Sequence, residues 1–115
     1  MLTFEDACAA LTEPGAPLEL ADTEIRGRSY PIFTNASANL AEAFAGAAAR
    51  SEQEFIVYEQ ERWTYGDVLA HGHAFAAALI NDYGIKKGDR VAIAMRNYPE
   101  WITAVVGLAA AGAVS

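Results

Sequence analysis

The chain has 115 residues, a formal net charge of −7 and one cysteine, Cys8. A negative chain without a basic stripe repels phosphate backbones and anionic membrane surfaces, which argues against a nucleic-acid partner. A lone thiol forms no internal disulfide, no metal-type spacing surrounds Cys8, and inert packing in an alanine-rich helix is its expected role.

The hydrophobic fraction of 53% includes 25 alanines, and Leu, Ile, Val and Phe together supply 26 residues, enough for a folded core. Residues 1–62 hold eleven acids and four bases, whereas 63–115 hold four of each, so the negative charge lies in the first half. MLTFEDACAA has no basic n-region and two early acids, so it does not read as a signal peptide. Thr3 to Ala10 reads as a short helix, with Thr3 as N-cap and Glu5 and Asp6 in the first turn. Pro14, Gly15 and Pro17 break it. Residues 18–35 are expected to be extended and irregular. Asn35 to Arg50 reads as a second helix, with Leu40, Phe44 and Ala47 or Ala48 at helical spacing.

EFIVYEQERWTY predicts a β-hairpin: Phe55 to Tyr58, a polar turn at Glu59 to Glu61, and a return over Arg62 to Thr64. Thr64 with Asp67 forms a variant capping box for the clearest helix of the chain. Val68, Gly72, Phe75 and Leu79 share one face of it, and Gly84 suits the left-handed position that ends it. Lys86 to Asp89 is a tight turn. Val91 to Met95 is a nearly continuous apolar strand of the kind covered on both faces in parallel sheets. Pro99 opens a last helix to about Ala111, and Ala113-Val114 starts another strand, so 91–114 reads as a parallel βαβ unit.

No charged residue follows Glu100. The last helix has Trp101, Ile102, Val105, Val106, Leu108 and Ala109 on one side and small uncharged residues on the other, which predicts burial all round. The uncharged stretch 101–115 is short of the ~18–20 residues that span a bilayer, so the expectation is a cytoplasmic globular chain without a transmembrane segment. Two parallel strands are not a sheet, and residues 1–100 hardly cover both faces of that helix. The chain therefore reads as a piece of a larger α/β domain.

ERWTYGDV, then GIKKGDRVAIAMRNYPEW, then GLAAAGAVS closely resemble the early part of the adenylate-forming ligases, the AMP-forming acyl-CoA synthetase family. TFEDACAALTEPGAPLEL, EIRGRSYPIF and Asn35-Ala36 are similar to the opening of bacterial fatty-acid–CoA ligases. The resemblance implies an α/β fold, here the start of the large N-terminal region: a leader over 1–53 and the first, incomplete part of the AMP-binding domain over 54–115. It implies a carboxylic, fatty, acid activated by ATP to acyl-AMP and passed to CoA, with Mg²⁺ assisting. Rival readings are a fatty-acyl-AMP ligase, a ligase for aromatic or short-chain acids, and a non-catalytic α/β interaction module.

The family's Ser/Thr/Gly-rich phosphate loop with its lysine does not occur in these residues. No catalytic, cofactor-binding or metal-binding residue carries over from the resemblance, and these 115 residues alone are expected to be inactive and to bind no cofactor. His71 and His73 point to opposite sides of a helix, so one ion cannot meet both. Lys86 and Lys87 read as solvated turn residues. Arg96 and Asn97 follow a parallel strand at its C-terminal end, where α/β folds bind ligands, but Glu100 occupies the adjoining helix turn and repels phosphate. Asn97 is expected to cap or turn the chain into Pro99, and Trp63 and Trp101 to pack. The acids of EQE read as solvated charge.

Overall fold

The computed structural model describes residues 3–115. They form two compact units, Met1–Ser37 and Ala38–Ser115. In the first, α1 spans Phe4–Thr12 and opens on a capping box: the Asp6 amide donates to the Thr3 hydroxyl, and the Thr3 amide donates to the Asp6 carboxylate. Cys8 is exposed, so it does not pack. The segment expected to be irregular is instead a regular antiparallel hairpin of β1 (Leu20–Ile25) and β2 (Arg28–Phe33). Its two-residue turn places Arg26 at φ 53° and Gly27 at φ 76°. Two left-handed residues match the right-handed twist of the flanking strands, so this short loop holds the ribbon in register.

The second unit starts with α2 (Leu40–Ala45), capped by the Asn39 side chain, which accepts from the Glu42 amide. The helix expected from Asn35 thus begins five residues later. It tightens after six residues into a 3-10 turn over Gly46–Arg50. An Asn side chain that takes up an orphan amide holds its own backbone extended and cannot sit mid-helix. Strands β3 (Glu54–Tyr58) and β4 (Glu61–Thr64) form the predicted hairpin, with Glu59 left-handed at φ 50° in the turn. The turn acids are exposed.

Helix α3 spans Tyr65–Asn81 behind the predicted box. The Asp67 amide donates to the Thr64 hydroxyl at 3.1 Å, and the Thr64 amide donates to Asp67 Oδ2 at 2.8 Å. Gly84 is left-handed at φ 68°, as its position predicts. Lys86 to Asp89 turns tightly, with the Asp89 amide on the Lys86 carbonyl and the Lys86 amide on the Asp89 carboxylate. Helix α4 runs Pro99–Ala111 and stops at left-handed Gly112, φ 72°.

The core of this unit is the crossing of α3 over α4. Val68, Ala76 and Leu79 are buried from one side, Val106 and Leu108 from the other. Each large aliphatic side chain removed from water contributes about 1.5–3 kcal/mol. Two glycines set the approach. A Cβ on Gly107 would lie 2.7 Å from the Gly72 carbonyl oxygen and 2.8 Å from Cδ1 of Phe75, and one on Gly72 would lie 2.6 Å from Cγ1 of Val106. Phe75 rests against Gly107 in this way while remaining 38% exposed, so it belongs to the rim of the predicted face.

Two expectations for the end of the chain are corrected. Val91 to Met95 makes no ladder; a single parallel bridge joins Arg90 to Val114. A strand is defined by its partner, and here the partner contributes only Val114, which both accepts from the Val91 amide and donates to the Asp89 carbonyl. Nor is α4 buried all round. Pro99, Thr103, Val106, Gly107 and Leu108 are buried, whereas Trp101, Ile102, Ala104, Val105 and Ala109 are half-buried and Ala110 is exposed. Helix α3 covers one face and no described element seals the other.

Gly107→Ala should lower stability. The helix-propensity gain of about 1 kcal/mol is outweighed by overpacking against a backbone carbonyl, which costs about 1–3 kcal/mol. Urea unfolding should give a lower midpoint at unchanged slope. Gly46→Ala, at a helical φ of −59° with open space around it, should leave the midpoint unchanged or raise it; a neutral Gly107→Ala would refute the close crossing. Asp67 gives a second outcome. Hydrogen bonds from the Thr64 amide and hydroxyl hold its carboxyl below the ordinary carboxylate value, and His71 adds to this. A carboxyl depressed in the folded state stabilises above its unfolded pKa, and that contribution is lost as pH falls through the folded value. Asp67→Asn should therefore flatten the acid limb of stability below about pH 4 in circular-dichroism melts.

Candidate functional site

Two concavities open in the second unit. The first, of about 420 Å³, lies between the β3–β4 hairpin and the first turns of α4, and is lined by Ile56, Val57, Tyr58, Asn97, Tyr98, Pro99, Trp101 and Ile102. The hairpin presents Ile56 and Tyr58 by its period-two alternation, and Pro99 at the head of α4 swings Tyr98 towards them. The two phenol rings meet edge to face, 5.7 Å between centroids at 89°. Desolvation pushes the Tyr58 phenol above its ordinary pKa, with Glu59, Tyr98, Glu61 and Glu100 adding repulsion of a phenolate. The cleft is aromatic, and its polar groups are phenols and one carboxamide. Such a lining seats apolar or planar groups and repels anions.

The second, of about 480 Å³, is an apolar groove between the stretch Val91–Met95 and the two helices, reached by His71, Phe75, Thr103, Ala104 and Leu108. Thr103 is buried, and its hydroxyl donates to the Glu100 carbonyl, so the groove presents little unpaired polarity from α4.

The residues singled out in the sequence scatter. His71 and His73 are both exposed on α3; His71 tilts against Trp63 at 4.9 Å, while the Trp63 indole N–H donates to Glu61. Trp63 and Trp101 are half-buried, in keeping with packing roles. Lys86 and Lys87 are exposed in their turn, and Arg96 is exposed before α4. Asn97 does not cap that helix: Tyr98 is the N-cap residue, without a side-chain bond, because Pro99 at the next position has no N–H to satisfy. Asn97 lines the aromatic cleft instead. Tyr58 and Tyr98, forty residues apart, were not paired by the sequence reading; an aromatic at the hairpin end and another before the proline are the only local traces. Among the described residues, no three His, Cys, Asp or Glu side chains gather to hold a metal ion. The residues present do not fit a Mg²⁺ or nucleotide phosphate site, and no chemical step belongs to them. No described helix is long and apolar enough to cross a membrane.

The sequence model of a family described as "AMP-binding enzyme" matches residues 43–115. Over 92 residues the chain is 38% identical to the long-chain-fatty-acid–CoA ligase of Salmonella typhimurium, covering 74% of this chain and 16% of that protein. The medium/long-chain-fatty-acid–CoA ligase of Mycobacterium tuberculosis is 31% identical over 104 residues, 86% of this chain and 17% of its own length. The long-chain fatty acid transport protein 6 of Mus musculus is 42% identical over 60 residues, 52% of this chain and 10% of its own. A crystal structure of an anthranilate CoA ligase in complex with anthranoyl-AMP superposes with a TM-score of 0.59 at 20% identity, over 65% of this chain and 14% of that one, and shows the shared fold.

The chain belongs to the family of AMP-binding enzymes, with a mixed α/β structure that covers part of the adenylate-forming ligase fold. It spans between 10% and 17% of the length of these curated relatives.

The raised Tyr58 phenol gives a spectroscopic check on the aromatic cleft. In an ultraviolet titration of the five tyrosines, Tyr58→Phe should remove the component that ionises at the highest pH. Loss of an ordinary component instead would mean that the ring is solvated.

Proposed function

We propose that these residues are the N-terminal part of an AMP-forming ligase that activates a carboxylic acid, specifically a fatty acid, and transfers it to CoA. The observation that carries the reading is the family match over 43–115, joined to 38% identity with a long-chain-fatty-acid–CoA ligase. In such a reaction a carboxylate oxygen attacks the α-phosphorus of ATP, the bond to the β-phosphate breaks, and pyrophosphate leaves. The CoA sulfur then attacks the acyl carbon; AMP departs with the electron pair of the C–O bond, and the thiol proton passes to solvent. Mg²⁺ supplies charge neutralisation at the phosphates.

Residues 54–115 are, in this reading, the first part of the AMP-binding domain and 1–53 its leader, working in the cytoplasm. Their contribution is structural. The buried groups are Val68, Ala76, Leu79, Val106, Leu108 and Thr103, none of which is a base or an activated nucleophile. The remainder of a ligase polypeptide would supply the nucleotide site, the acyl pocket and the groups that meet CoA.

Carboxylate-dependent exchange between ATP and pyrophosphate tests this directly. The purified 115-residue chain should give no exchange. A Salmonella typhimurium ligase whose corresponding segment is replaced by residues 43–115 should exchange with a long-chain fatty acid. Exchange by the 115-residue chain would overturn the structural role, and a folded chimera without exchange would overturn the ligase reading.

A further inference from the structure

The stretch from Arg90 to Ala94 carries backbone groups with no partner. The amides of Arg90, Ala92, Ile93 and Ala94 donate to no described residue, although the stretch runs without turn or bend and carries the β-prone sequence RVAIA. The single bridge fixes which way these groups point. The Val91 amide donates to the Val114 carbonyl at 2.9 Å, and the Val114 amide donates to the Asp89 carbonyl at 2.8 Å. In an extended chain, N–H and C=O of one residue point to the same edge and alternate with the next residue. Val91 and Ile93 therefore face the Val114 side, and Arg90, Ala92 and Ala94 face the opposite edge.

We propose that this outer edge, formed by Arg90, Ala92 and Ala94, is a strand-addition site for one further β-strand from the remainder of a ligase polypeptide. The inference rests on the function proposed above and names the contact by which this segment joins the rest. Three observations select the occupant. The vacant groups are main-chain donors and acceptors in strand alternation, which an extended peptide satisfies and a helix does not. Ala92 and Ala94 are small and exposed, so a neighbouring chain can come close without displacing a side chain. The edge is also short, ending at the bend at Met95. Three outward residues cannot hold a separate protein or a second copy against the cost of association, whereas a strand tethered in the same polypeptide arrives at high effective concentration.

Amide hydrogen exchange read residue by residue tests the site, using the 115-residue chain and the chimeric ligase described above. In the 115-residue chain the Ala92 and Ala94 amides should exchange at the rate of an unstructured peptide. In the chimera both should slow by roughly 100-fold or more. Ala94→Pro, which deletes one outward N–H, should also release protection at Ala92. Should that variant not fold, the exchange pattern of the unsubstituted chimera decides. An active chimera with unprotected Ala92 and Ala94 overturns the strand-addition site and leaves the ligase reading standing. An inactive, unprotected chimera overturns both. Protection that appears in the 115-residue chain alone and grows with its concentration makes a second copy the occupant and overturns the assignment to a tethered strand.

Discussion

Contact between the Gly72 and Gly107 backbones is the constraint on which the larger unit depends. At that point the two longest helices meet with no side chain between them, so Val106 can sink beside Gly72 and Phe75 can lie over Gly107. Close approach is what buries Val68, Leu79 and Leu108 in a segment with few large aliphatics. Dispersion falls away within an ångström of optimal separation, so a crossing held even slightly apart would leave these side chains poorly packed. Glycine is unfavourable inside helices, and its presence in both at the crossing point is explained by this packing.

The ends of these helices then determine where the connecting chain goes. The Thr64–Asp67 box starts α3 directly at the end of the hairpin, which keeps β3–β4 beside the helix. Left-handed Gly84 and the Lys86–Asp89 turn send the chain back, and left-handed Gly112 redirects it at the end of α4. The two reversals bring Arg90 alongside Val114 in parallel. What emerges is one well-covered helix face and several surfaces that are apolar, alternating or aromatic. The aromatic cleft, the groove below Val91–Met95 and the half-buried side of α4 are surfaces suited to further polypeptide. None assembles the paired acids, bases and nucleophiles that catalysis needs. A supporting segment of an AMP-binding enzyme accounts for both features.

Local chemistry was legible wherever it closes within a few residues. The capping boxes at Thr3 and Thr64, the Glu59–Glu61 turn, the glycine stop at Gly84 and the proline start of α4 depend on side chains three or four positions apart. The first hairpin was not recognised, because Arg-Gly is a weaker turn signal than Asn-Gly or Asp-Gly and both its strands are exposed, which blurs the alternation. The second helix was drawn too early for a similar reason: helical spacing from Leu40 onward says nothing about Asn39 taking the cap position. For the candidate site, Asn97 was noticed but given a capping role; its place beside Tyr58 required knowledge of how the hairpin meets α4.

From the sequence alone came the kind of protein this is. An ordered series of short motifs, each with a mechanical reason for its Gly, Pro or Thr, is specific to a family because many independent positions must agree. Tertiary structure alone decided which faces are covered. Burial depends on what lies opposite a residue, and neither the crossing of Gly72 on Gly107 nor the single bridge that leaves Ala92 and Ala94 unpaired is encoded in any one window of sequence.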